Sequence, residues 1–425
     1  MAAESIDRTG EPSIVEPTGT EALVALGASL AFVLATRLPV ARPSAWESDE
    51  VGYLVMIQEA HFPKFHTLFL AAAHAIGKLI DDPYRGFIAL DCVVSAGALA
   101  ASWWWLRSLV GPRTAAATAL ALGCGPVFWA YGAMAGNYTM IPLVGSLLLG
   151  IAHRGRQSPR AWHPWAASAA LAVGAGYRQD IGTFWLPIYV VILWRHRWSR
   201  SLWSLLLFVA LNLAWFLPML HDAGGWHAYR AESGKFAYSA GYMNSAAKLG
   251  WIDAPLRYGV KESMALAWTL GPGLLLVPRG IWRRAVDGPG RRLLGLLGLS
   301  VAPALASHLL IHFGVPGYSF HLVPALLGLV AIGLGGDDAA GGRRGLLLAA
   351  LLAAVFLLYP TDFQRPGLRG EFDLAFARFT RAGLNQPVPF RDPKLWRTTN
   401  SQEKRGDSGR RIDAPRRSLG QLWGN

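Results

Sequence analysis

Phe65-His-Thr-Leu-Phe-Leu-Ala-Ala-Ala-His-Ala-Ile-Gly-Lys-Leu-Ile80 is the stretch on which the topology turns. It holds 16 residues, mostly apolar, yet His66, His74 and Lys78 lie within it. As a helix it reaches about 24 Å, short of the roughly 30 Å of hydrocarbon that a spanning helix must cross. Just upstream stands Trp46-Glu-Ser-Asp-Glu-Val-Gly-Tyr53, where Asp49 and Glu50 follow the first long apolar run. Whether 65–80 crosses a bilayer or lies along it decides the side on which those carboxylates, and every later loop, fall.

The rest of the chain reads as membrane-spanning scaffold. Of 425 residues, 52% are hydrophobic and only 16% charged, where a soluble domain carries roughly a quarter. Mean hydropathy is +0.29. Eleven apolar runs follow one another, at 21–38, 87–106, 114–134, 138–152, 165–177, 181–194, 201–220, 258–277, 293–313, 317–334 and 345–360. The 18 Trp suit headgroup belts, as at 103–105. Cys92 and Cys124 both fall inside apolar runs and read as buried thiols. Residues 1–20 are polar and acidic, with no cleavable signal peptide, and are expected to be a disordered cytoplasmic tail.

The net charge of +13 is read by location. Arg107 and Arg113, Arg154 and Arg156, Arg195 to Arg200, Arg279 to Arg292, and Arg343 with Arg344 fall in short loops. That is an orientation signal for the cytoplasmic side, not a nucleic-acid-binding face. These loops alternate with basic-poor ones at 135–139, 177–180, 221–257 and 313–317. The alternation puts Asp49 outside only if 65–80 does not cross, and instead lies on the outer surface as an amphipathic helix. The expected architecture is therefore an all-α polytopic membrane protein. It has about eleven transmembrane helices over 21–360, external loops at 39–86 and 221–257, and an external, partly disordered tail at 361–425. Arg37, at the outer end of the first run, is the exception to the charge rule.

On that topology the polar residues collect on the outer side: Asp49 and Glu50; Lys64 and His66; Asn137; Tyr177, Arg178 and Asp180; Tyr318 and His321. Each has a plain alternative. Asp49-Glu50 can cap an interfacial helix, Arg178 and Asp180 can pair to fix a tight loop, and Gly314 to Gly317 is a turn by composition. Interior polar residues are scarce, with Asp91 and Asn212 as the exceptions. No metal-ligand set is read from the residues.

The ensemble resembles the GT-C superfamily of membrane glycosyltransferases, closest to the bacterial protein O-mannosyltransferase and aminoarabinose transferase group. Ser48-Asp-Glu-Val-Gly-Tyr53 is similar to the acidic motif of the family's first external loop. Phe62-Pro-Lys-Phe-His-Thr-Leu68 stands where members carry a Lys- or His-Pro-Pro-Leu motif, keeping the base but not the double proline. Gly314-Val-Pro-Gly-Tyr-Ser-Phe-His-Leu-Val-Pro324 and Gly176-Tyr-Arg-Gln-Asp180 resemble later motifs, and Asn137 stands near the place of a second acidic residue. The resemblance implies an inner (plasma) membrane protein with its active site facing outside or the periplasm. It implies transfer of a sugar from a polyprenyl-phosphate-linked donor to a lipid, glycan or protein acceptor. Asp49 is then the general base with Glu50 second, and Lys64 and Arg178 face the donor phosphate. His66, Asn137, Tyr177, Asp180, Tyr318 and His321 are further substrate-site residues. The resemblance fixes no cofactor for certain and leaves a divalent metal possible. Two other readings stand beside this one: a transporter or flippase, and a non-catalytic scaffold that kept the fold.

Overall fold

A computed structural model describes residues 17–38, 41, 53, 56, 66–134 and 136–358. Asp49, Glu50, Lys64 and the tail 361–425 lie outside the described residues. Those described form α-helices and short 3-10 or π segments, with no strand among them.

The elements, in chain order, are α1 Gly19–Arg37, α2 Thr67–Ile80, α3 Pro83–Leu106, α4 Pro112–Cys124, α5 Pro126–Tyr131, α6 Met140–Gln157, α7 His163–Tyr177 and α8 Gln179–Trp194. There follow α9 Trp198–Asp222, α10 Trp226–Phe236, α11 Ala246–Leu249, α12 Asp253–Leu270, α13 Val277–Ala285, α14 Gly288–Leu310, α15 Val323–Leu334 and α16 Asp338–Leu358. Each of the eleven apolar runs carries a helix. Among the described residues, six stretches are long and apolar enough to cross a membrane: α1, α3, α9, Asp253–Ala285, α14 and α16.

Local chemistry sets the ends. Thr18 and Glu21 form a capping box at α1, the Thr18 amide donating to the Glu21 carboxylate at 2.7 Å. Asp82 caps α3, accepting from the Tyr84 and Arg85 amides at 3.0 Å, with Pro83 at the first helical position. The start of α4 is capped across the fold by Asp338, which accepts from Arg113 and Thr114 at 3.1 and 2.9 Å. Two runs read as unbroken are split. Run 114–134 breaks at Gly125-Pro126, because proline disfavours helical backbone before it. Run 258–277 breaks at Gly271, whose φ of 52° is left-handed. The second of these helices begins at Asp253, so Lys261 and Glu262 fall well inside it.

One core joins the helices, with Trp105, Trp185, Phe87 and Phe128 fully buried. The Trp105 indole donates to the Pro324 carbonyl at 3.2 Å, tying α3 to α15, and the Ser102 and Ser146 hydroxyls meet at 3.0 Å between α3 and α6. The structure accounts for the Arg37 exception: the side chain is fully buried and donates to the Gly123 carbonyl at 2.6 Å. Its guanidinium lies 5.0 Å from the Trp129 ring centroid and 5.6 Å from that of Phe32. It packs α1 onto the α4–α5 break and is not a loop charge.

α2 is the element that carries the site's first residue. It is joined to α3 by a turn at Asp81, itself left-handed at φ 53°. Their contact is backbone on backbone: a Cβ at Gly86 would lie 2.6 Å from the Ala73 carbonyl and the Gly77 amide. Gly86→Val is therefore expected to lower the thermal midpoint of the purified protein, by overpacking worth about 1–3 kcal/mol, and to shift His66. An unchanged midpoint would show that α2 does not rest on Gly86.

Candidate functional site

The bundle has two chemically distinct ends. At one, Arg284 donates to the Leu109 carbonyl, Arg344 to those of Leu334 and Gly335, and Arg154 to that of Trp104. The other end gathers the α7–α8 junction, the loop between α5 and α6, the 3-10 turn Pro316–His321 and the start of α2.

Arg178 is the centre of that second end. It is a single extended residue (φ −147°, ψ 118°) between α7 and α8, and it is 4% exposed. Its Nε donates to Asp180 Oδ1 at 3.0 Å and its Nη2 to Asp180 Oδ2 at 2.7 Å, while Nη1 donates to Asn137 Oδ1 at 2.6 Å. The guanidinium carbon sits 4.1 Å from the Tyr138 ring centroid and 5.2 Å from that of Tyr318. A guanidinium has five donors. Three are spent on these contacts, leaving one N–H on each Nη.

The supporting groups close around it. His321 is fully buried, its Nε2 lying 3.4 Å from Asp180 Oδ2. His66, at the N-cap of α2 with φ 62°, places Nδ1 3.2 Å from the Tyr177 carbonyl. Asp91 accepts from the Gly136 amide at 2.9 Å and from the Thr139 hydroxyl at 3.2 Å, so it holds the loop that presents Asn137 and Tyr138. It lies two turns inside α3, deeper than the run boundary suggested, because α3 starts at Pro83. Two glycines of the sequence motifs are explained by contact. A Cβ at Gly317 would run into the Tyr138 ring, and one at Gly176 would meet Leu68 and the Trp215 ring.

Burial sets the charges. It pushes the His66 imidazole down to about 3, helped by the Arg178 charge. Burial also works against the Arg178 cation, but Asp180 outweighs it and holds Arg178 above its ordinary value. The site is thus an ion pair with the His66 and His321 imidazoles beside it.

The structure therefore unites seven of the expected site residues: His66, Asn137, Tyr177, Arg178, Asp180, Tyr318 and His321. Asp49, Glu50 and Lys64 lie outside the described residues. Sequence reading missed Lys261, Glu262 and His308, all buried, with His308 Nδ1 2.9 Å from Glu262 Oε2. The signal was there, since a Lys-Glu pair inside an apolar run needs partners. Interior polar residues are thus not confined to Asp91 and Asn212. Among the described residues no group of three or more His, Cys, Asp or Glu is placed to hold a metal ion.

No family model and no curated protein matches the chain. Among solved structures, ArnT from Cupriavidus metallidurans bound to undecaprenyl phosphate is similar, with TM-score 0.55 and 16% identity over 80% of this chain. Its apo form is similar too, with TM-score 0.54 and 17% identity over 80% of this chain. The chain spans 65% of the length of each. The likeness is one of fold: an all-α, multi-helix arrangement shared with those solved structures, carrying six stretches long and apolar enough to cross a membrane among the described residues.

Proposed function

We propose that the protein is a membrane glycosyltransferase. In this reading it moves a sugar from a polyprenyl-phosphate-linked donor to a lipid, glycan or protein acceptor at the outer face. The observation that carries it is Arg178, held by Asp180 and Asn137 between two tyrosine rings, with one N–H on each Nη left for an anion. The likeness to a fold whose solved relative binds undecaprenyl phosphate supports it.

The chemistry needs few parts. An acceptor hydroxyl attacks the anomeric carbon as the bond from that carbon to the phosphate oxygen breaks. Asp49 takes the hydroxyl proton, with Glu50 second. The polyprenyl phosphate leaves with the bonding electrons, and fixed positive charge favours its departure. Arg178 supplies that charge with a planar, two-pronged grip, and Lys64 adds a point charge. Tyr318 and His321 line the donor side, while His66 and Tyr177 set the α2–α7 contact beneath it.

Sidedness follows from the same reading. α2 has 14 residues, about 21 Å as a helix, and Phe69, Ala73 and Gly77 all meet the single turn Gly86–Phe87 of α3. Single cysteines at Ser48 and Ser158 are expected to react with an impermeant maleimide from opposite sides of the membrane. Labelling from the same side would overturn the topology.

A further inference from the structure

Glu262 and His308 lie behind the site and take no part in the chemistry above. Glu262 is carried on α12, whose outward side shows Leu256 and Val260, exposed at four-residue spacing in line with Ile252 at the N-cap. The opposite face buries Tyr258, Lys261, Glu262 and Ala265 against the bundle. An acidic side chain at this depth is expensive and by default serves a function. Its partner is His308 on α14, at 2.9 Å. The His308 ring lies 6.0 Å, centroid to centroid, from that of His321, and Phe184 stands edge-on to both. His321 in turn faces Asp180 at 3.4 Å. Glu262, His308, His321, Asp180 and Arg178 thus form one continuous line from α12 to the anion-gripping guanidinium. Lys261, Tyr318 and His312 border it, His312 one turn beyond His308. Along that line Glu262 Oε1, His308 Nε2 and His321 Nδ1 are buried without a hydrogen bond within the described fold, while His321 Nε2 is turned to Asp180. Unpaired buried polar atoms destabilise a fold, so a row of them marks polarity kept for something other than stability.

We propose that Glu262 and His308 are positioning residues: through His321 they hold Asp180, and with it Arg178, in the pose that receives an anionic lipid phosphate. Glu262 fixes the ring of His308, His308 walls one side of His321, and His321 fixes the carboxylate that orients Arg178. The inference rests on Arg178 being the anion grip of the proposed transferase.

The test uses the full-length purified protein, with undecaprenyl phosphate and undecaprenol as probes. Removing one member leaves the other's buried polar atom unpaired, but replacing both members of a buried pair by apolar residues is often neutral. The double variant Glu262→Leu, His308→Leu is therefore expected to keep the wild-type thermal midpoint. It should bind undecaprenyl phosphate about tenfold more weakly, the effect of losing a charge-assisted contact, and undecaprenol unchanged. A merely structural pair would leave that ratio of affinities alone. Arg178→Ala is measured alongside. If it keeps the preference for phosphate over alcohol, the reading of Arg178 fails, and this inference with it. If Arg178→Ala loses the preference while the double variant retains it in full, the pair is structural and the inference is overturned. Should the double variant not fold, the isosteric Glu262→Gln is read by the same ratio.

Discussion

Asp49→Asn is expected to lower sugar transfer by about a thousandfold, inside the 10²–10⁴ that a positioned general base contributes. Asparagine keeps the shape and cannot accept the acceptor's proton. Asp49 follows the first apolar run in a polar stretch of the sequence, and protein yield is expected to hold. Glu50→Gln should cost less, because Glu50 is the second carboxylate and not the assigned base. Membranes from cells producing each variant, supplied with a polyprenyl-phosphate-linked sugar, report this directly. Full activity in Asp49→Asn would remove the base assignment.

Arg178→Ala is expected to cost about 10²–10³ in kcat/KM for the lipid-linked donor, the size seen when one fixed donor to a developing anion is removed. The cause must be separated from folding. The same change leaves the part-exposed Asp180 carboxylate without its guanidinium partner, which lowers stability as well as activity. Arg178→Ala with Asp180→Asn removes that stranded charge, so its thermal midpoint should recover toward wild type while its activity stays low. Recovery of activity together with the midpoint would make Arg178 a structural residue only. Arg178→Lys should not rescue, because an ammonium cannot hold Asp180 by two parallel bonds and still reach Asn137.

The helices were largely legible because spanning a bilayer demands apolar runs, and those are visible without tertiary knowledge. What the runs hid were interruptions inside them. Gly125-Pro126 and Gly271 are local signals that averaging over a window erases. The same averaging concealed Lys261 and Glu262, and the partner of Glu262 is His308, 46 residues further on. Nothing local announces that pairing. The candidate site was more legible than the pairings within it. Tyr177, Arg178 and Asp180 fall on one tight junction, and Gly317 and Tyr318 on one turn, so sequence proximity did most of the work. The role of Asp91 was not readable: a carboxylate in a span suggested chemistry, whereas its acceptors hold the Gly136–Thr139 backbone and hydroxyl. Arg37 shows the converse, a cation at the outer end of a span that the charge rule misreads because it is buried against aromatic rings.

A buried Glu262–His308 pair is also the kind of group a transporter uses, so the decisive measurement must separate turnover from movement. Purified protein is reconstituted in vesicles with polyprenyl-phosphate-linked sugars, and free polyprenyl phosphate is quantified with time for wild type and Asp49→Asn. The account predicts that wild type converts the sugar-bearing lipid to free polyprenyl phosphate, one sugar reaching an acceptor for each lipid released, and that Asp49→Asn does not. Sugar-bearing lipid recovered intact on the opposite leaflet, with no polyprenyl phosphate formed, would contradict it.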